Sequence, residues 1–239
     1  MWTPEELPQH IHRVNHDCFR FQVAGYRKDA RPFVVYTDPF KVPALGSSPA
    51  SAQDAVGFPL DADLVLISHE HFDHCSAEDL DRVCRPSTVI VAAASCREAL
   101  AGRSETILLV SAGDALELGD ALDLPEGVGL TIEAVPAYNT NKKYHPREAG
   151  HVGFVFELDG NRIYFAGDTD LVPEMNDLRC DIALLPVSGT YVMDAEEALE
   201  AAARIGARIT VPMHYGDIIG TGKDAEILEK RHSGHVVIL

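Results

Sequence analysis

At 239 residues with 46% hydrophobic side chains, the chain can build a sizeable core, as one large α/β domain or two small ones, and no segment approaches the length of a membrane span. Twenty basic against 37 acidic residues leave a net charge of −17, which repels nucleic-acid phosphates and anionic membranes and excludes both as expected partners. The N-terminus lacks a basic stretch followed by an apolar run, and five cysteines without paired spacing suit a reducing compartment, so a cytoplasmic location is expected.

In chain order, the first β-rich runs are FRFQVA (19–24), FVVYT (33–37) and LVLI (64–67). Between the last two, PALGSSPASAQDAVGFP reads as a long loop, because strand signals resume on both sides. SAEDLDRV then reads as a helix with Ser76 as N-cap and Asp79 three residues on. TVIVAA, TILLV, LTIEAV, VGFVFEL and RIYFAG follow as strands, the last two forming a hairpin around Asp159-Gly160. Strand and helix alternate towards the C-terminus. IALLPV precedes DAEEALEAAARI, with Asp194 and Glu197 as a capping box, and RITVP, a helical stretch near 223–230 and HVVIL complete the pattern. The whole, residues 1–239, is expected to be one α/β domain with mixed sheets. Cys18, Cys84, Cys96 and Cys180 read as small core residues, and Cys75 as packing beside His74.

The chemistry is concentrated where three apolar strands end. LVLI runs into HEHFDH, with His69, His71, Asp73 and His74; RIYFAG ends at Asp168; RITVPM ends at His214. Ligands gather at loops leaving the carboxyl ends of strands, so three such loops can deliver imidazoles and carboxylates to one place. In an extended segment His69, His71 and Asp73 would project alike, with Glu70 and Phe72 opposite. Nitrogen and oxygen donors suit zinc, and also iron or manganese; there are more of them than one tetrahedral ion requires, so two ions are expected.

HEHFDH after an apolar strand matches the H-x-H-x-D-H signature, and the sequence thereby resembles the metallo-β-lactamase superfamily. YTDPF around Asp38, AGDTD around Asp168 and PMHYG around His214 carry the likeness further. HDCF, RIYFAGDTDLVPEM and LLPVSGTYVMDAEEA are similar to the stand-alone metal-dependent hydrolases that include L-ascorbate-6-phosphate lactonase-like proteins. The resemblance implies a four-layer αββα sandwich with the site along one edge. It also implies a division of ligands: His69 and His71 on one divalent ion, Asp73, His74 and His214 on the other, Asp168 bridging. Asp38 would then stand behind the ligands, and His16 would point at the site or sit elsewhere in the core or on the surface. His10, His12, His232 and His235 read as surface residues, and His151 gives no clear signal.

One departure from the family pattern stands out. Asn139 occupies the place where many relatives carry a further histidine, and His145, six residues on, either replaces that donor, touches substrate or faces solvent. The expected function is a hydrolase using a metal-bound hydroxide, with Asp73, Asp168 and His145 as catalytic candidates and zinc as the preferred ion. The substrate would be a small ester-like molecule, a lactone or a phosphate-bearing metabolite. Lys142, Lys143 and Arg147 make a basic patch that suggests an anionic group. The alternatives are a phosphodiesterase and a non-catalytic metal-binding regulator or scaffold. Whether the chain forms a homo-oligomer stays open.

Overall fold

The computed structural model describes residues 1–43 and 60–239; most of the expected long loop before LVLI therefore lies outside the described residues. A short helix α1 (Leu7–His10) leads into β1 (Ile11–Asn15), β2 (Cys18–Val23), β3 (Phe33–Thr37), β4 (Leu64–Ile67), β5 (Val89–Ala93) and β6 (Thr106–Val110). These strands form one mixed sheet in the order β1-β2-β3-β4-β5-β6, antiparallel at its start and parallel from β3 onwards. The helix α2 (Ala77–Val83) separates β4 from β5.

The second sheet contains β7 (Ala115–Glu117), β8 (Thr131–Pro136), β9 (Val152–Leu158), β10 (Asn161–Phe165), β11 (Ile182–Pro186), β12 (Ile209–Met213) and β13 (His235–Val236), neighbours in that order. It is antiparallel from β7 to β10 and parallel from β10 to β13. The helices α3 (Ala195–Ile205) and α4 (Gly222–Arg231) provide its parallel crossovers and pack on each other and on β11 and β12.

The sheets face each other across a shared core, where the Phe21 and Phe156 rings meet edge to face at 5.5 Å. Strands β4, β5, β11 and β12 are buried along their whole length, so their outer faces are covered too, as parallel strands require. The expected αββα sandwich is therefore the observed fold. Along α3, Ala195, Ala198, Ala201, Ala202 and Ile205 form its buried stripe, and small side chains there let the helix sit close to the sheet. Its capping box forms as expected: the Asp194 side chain accepts from Glu197 N, and Glu197 Oε2 accepts from Asp194 N at 3.0 Å.

Several boundaries shift. The hairpin β9–β10 turns at Asp159 and Gly160, both with positive φ, but β1 and β7 carried no clear strand signal. HVVIL shortens to His235–Val236, and Ile238 beyond it is exposed. His10, His12 and His232 are half-buried rather than on the surface; His10 stacks on Trp2 at 4.4 Å and His232 bonds Thr210 Oγ1 at 3.1 Å. All five cysteines are buried and free. Among the described residues no helix is long and apolar enough to cross a membrane.

Candidate metal centre

The carboxyl ends of β3, β4, β10, β11 and β12 open onto one edge of the sandwich. Asp38 follows β3, Ser68 to His74 follow β4, Asp168 follows β10, Ser188 follows β11 and His214 follows β12. The β1–β2 turn adds His16 and Asp17, and the loop after β8 adds His145.

HEHFDH is not extended as alternation alone suggests. His74 N and Cys75 N both donate to the His71 carbonyl, at 3.0 and 2.8 Å, so the segment closes into a tight turn after Glu70. That turn still sends His69, His71, Asp73 and His74 to the same side, and it leaves Phe72 exposed. At Gly167, φ is +62° and an added Cβ would lie 2.9 Å from Ser68 Cβ; only glycine lets the β10 loop come this close to the β4 loop.

Hydrogen bonds behind the site set which nitrogen of each ring faces inward. Asp38 accepts from Ser68 N at 2.7 Å, from Ser68 Oγ at 2.5 Å and from His74 Nδ1 at 2.7 Å. With its proton given to Asp38, Ser68 Oγ accepts from His69 Nδ1 at 2.9 Å. Ser188 Oγ likewise donates to the Thr190 carbonyl and accepts from His214 Nδ1 at 2.9 Å. His69, His74 and His214 therefore all turn Nε2 towards the centre, the arrangement that outer partners impose on metal-binding histidines.

At the centre, Asp168 is the common neighbour. Its Oδ2 lies 3.2 Å from both His145 Nε2 and His214 Nε2, and its Oδ1 lies 3.5 Å from His74 Nε2. His69 Nε2 and His71 Nδ1 converge to 3.0 Å. Asp73 Oδ2 sits 3.6 Å from His16 Nε2 and 3.9 Å from His74 Nε2. All the sequence-predicted candidates are thus brought together, His145 included.

Asn139 is not at the centre in a ligand's manner. Its backbone N–H donates to the His145 carbonyl at 2.7 Å, and its side-chain amide donates to the carbonyls of Tyr144 and Tyr191. The residue is a brace that folds the loop back and carries His145 inward. His145 itself adopts φ +57° to complete the turn. His16, Asp38, Tyr191 and His214 also have positive φ, so backbone strain concentrates around this one edge.

Three residues were not foreseen. His151 Nδ1 lies 3.2 Å from His145 Nδ1, and His151 Nε2 lies 3.3 Å from Glu70 Oε2. With His145 Nε2 facing Asp168, its Nδ1–H donates to His151, whose Nε2 is buried without a hydrogen-bond partner beside the Glu70 carboxylate. The register could have pointed there: β8 and β9 are antiparallel with Pro136 opposite Val152, which puts residue 151 beside the start of the Asn139 loop. Asp17, fully buried beside His16, carried no signal.

A cation fits this donor set. His74 Nε2, Asp168 Oδ1, both nitrogens of His16 and both carboxylate oxygens of Asp17 are buried without hydrogen-bond partners. Orphans of this kind are costly unless something satisfies them. Burial presses the His69 imidazole well below its ordinary pKa, and takes His145 to about 4 and His16 to about 2, so these rings are neutral donors at pH 7. Burial also opposes charge on His74, His214 and Asp168, but their mutual attraction wins: both histidines are held above the usual range and the carboxylate well below it.

Residues 10–214 match a beta-lactamase superfamily domain. A metal-dependent hydrolase of Thermoplasma acidophilum is 35% identical over 162 residues, covering 65% of this chain and 66% of the relative. One from Thermococcus onnurineus is 31% identical, covering 88% of this chain and 87% of its own length. The crystal structure of a metal-dependent hydrolase from Parabacteroides distasonis superposes with a TM-score of 0.70 at 30% identity, covering 95% of this chain and 91% of that one. The family match covers most of the chain and the relatives agree in sequence and fold, so the chain belongs to the beta-lactamase superfamily, among its metal-dependent hydrolases.

Proposed function

We propose that the protein hydrolyses small ester-like carbonyl compounds, lactones among them, with two divalent ions, zinc preferred, held by the two halves of this centre. The observation that carries the reading is the convergence of four imidazoles and two carboxylates on the floor of an open cavity of about 400 Å³. His69, His71 and His145 would hold one ion, Asp73, His74 and His214 the other, with Asp168 between them. Ions bound there supply Lewis acidity, polarising the carbonyl and lowering the pKa of water from about 15.7 to about 7.

The chain's own groups do the rest. Of the two carboxylates on the cavity, Asp73 is the more exposed, so it can orient the attacking water and accept its proton. His16, neutral and buried, lines the cavity beside Asp73, its Nε2 3.6 Å from Asp73 Oδ2. No serine or cysteine nucleophile is needed: Ser68 and Ser188 are occupied in fixing histidines. The phosphodiesterase alternative draws less support, because no lysine or arginine among the described residues lines the cavity.

Metal analysis after reconstitution with zinc, manganese or iron should give two ions per chain, and Asp168→Ala should lower affinity more than about a hundredfold, beyond the loss typical of an outer partner. Lactones should then be turned over in preference to phosphodiesters. Failure to retain any of the three metals in stoichiometric amount would end this reading.

A further inference from the structure

The rim of the cavity differs sharply from its floor. Phe72 is 71% exposed, Tyr144 45%, Tyr191 44% and Ile218 41%, and all four line the same opening, with Ile219 beside them. Large apolar side chains scattered singly over a surface need no explanation, but a contiguous ring around one cavity does.

The rim is also held in place. The Phe72 ring stands edge-on to Phe40 at 5.9 Å, and Tyr144 and Tyr191 meet edge to face at 5.0 Å. Tyr191 accepts a strained φ of +67° in this position, and its carbonyl is anchored by the Asn139 amide. Ile218 rides the tip of a turn closed by Gly216 N donating to the Ile219 carbonyl, and Lys41 pins that turn through Asp217 at 2.8 Å. A preorganised apolar surface binds with less ordering cost than a loose one.

Among the described residues no lysine or arginine lines the opening. Of the basic patch, Lys142 pairs with the buried Asp170 and Arg147 with Glu174 at 2.7 Å, while Lys143 lies over the Tyr144 ring at 5.5 Å without itself lining the cavity. The stretch 44–59 contains no lysine or arginine either. With −17 on the whole chain, an anionic molecule approaches against the net field of the protein.

We propose that this centre selects neutral esters and lactones bearing an aromatic or branched aliphatic substituent, seated against Phe72, Tyr144, Tyr191 and Ile218, and that it disfavours carboxylated or phosphorylated ones. The proposal rests on the hydrolase reading above and adds the substrate class. Attack by water on the carbonyl carbon forms a C–O bond and breaks the acyl–oxygen bond, giving an alcohol and a carboxylate from an ester or a single hydroxycarboxylate from a lactone, with one proton released to solvent. The newly charged product is then poorly matched to the apolar rim, which favours its departure.

The test is a series of γ-lactones carrying a methyl, a phenyl or a carboxymethyl group, assayed with zinc-loaded protein. The phenyl lactone should have the highest kcat/KM and the carboxymethyl one the lowest. Phe72→Ala and Ile218→Ser should each raise KM for the phenyl lactone about tenfold, the loss expected on removing a buried apolar contact, with little change in kcat. The phenyl-to-methyl preference should fall accordingly. A carboxymethyl lactone processed best, or a preference unchanged in both variants, would overturn the proposal.

Calorimetry with a phenyl-substituted cyclic ketone and its carboxylate counterpart separates the two readings. If no lactone is turned over, the hydrolase reading fails. The apolar seat still stands if the neutral ketone binds and Phe72→Ala weakens it, and falls if the carboxylate binds more tightly.

Discussion

His151 shows how much of this centre lies behind the donors that face the cavity. Its ring is buried, stacked on His69 at 4.6 Å, and it links His145 to the half-exposed Glu70. Removing an outer partner of a metal-binding histidine typically weakens the metal about 10- to 100-fold. His151→Phe keeps a ring in the space but leaves His145 Nδ1–H without an acceptor. It should release one ion about tenfold more readily to a competing chelator while the second stays, and His145→Ala should release that same ion more readily still. Metal content during chelator titration reads the difference, and equal loss of both ions would place His151 outside this role.

At the scale of elements, the site depends on how closely the loops after β4 and β10 approach. Gly167 is the contact point, and an added methyl would also come within 3.1 Å of the Val152 carbonyl. Gly167→Ala should therefore cost about 2 kcal/mol in thermal or denaturant unfolding, from strained φ together with the clash. The same loop carries Asp168, so metal retention should fall in parallel. By contrast, Gly206, with φ +76° at the end of α3 and no neighbour within 4 Å, should lose stability on substitution without any change in metal binding.

For the molecule as a whole, the buried imidazoles set its response to acid. His12, His16, His69, His145, His151 and His232 have pKa values lowered by burial, whereas His74 and His214 are raised. A histidine with a depressed folded pKa stabilises the native state above its unfolded value of about 6.5 and loses that contribution as pH falls, because the unfolded chain takes up protons that the folded one refuses. The two raised histidines act oppositely, stabilising at low pH and losing that as pH rises. Six histidines against two, the metal-free protein should lose melting temperature between pH 6.5 and about 4, the folded value at His145, with Asp17, raised to about 7 by burial, and Asp38, also raised, offsetting part of the loss. Metal affinity should decline over the same range, since neutral rings are the donors. A melting temperature flat across that interval in the presence of chelator would show that burial does not govern these rings.

The amino-acid sequence by itself determined an α/β pattern with mixed sheets and most of the donor candidates, because both are local signals, apolar runs of strand length that end abruptly in a histidine or aspartate; the αββα layering came from the resemblance its motifs carry. It could not determine the shape of HEHFDH, where a turn bonded to the His71 carbonyl replaced the expected extended segment. Nor could it place His151, Glu70 and Asp17, whose neighbours come from strand register and loop closure rather than from sequence spacing. The basic patch looked free until folding brought Asp170 to Lys142 and Glu174 to Arg147. Only the tertiary structure decided that Asn139 braces its loop while His145 reaches Asp168, since an amide's role depends on which carbonyls the fold puts within its reach.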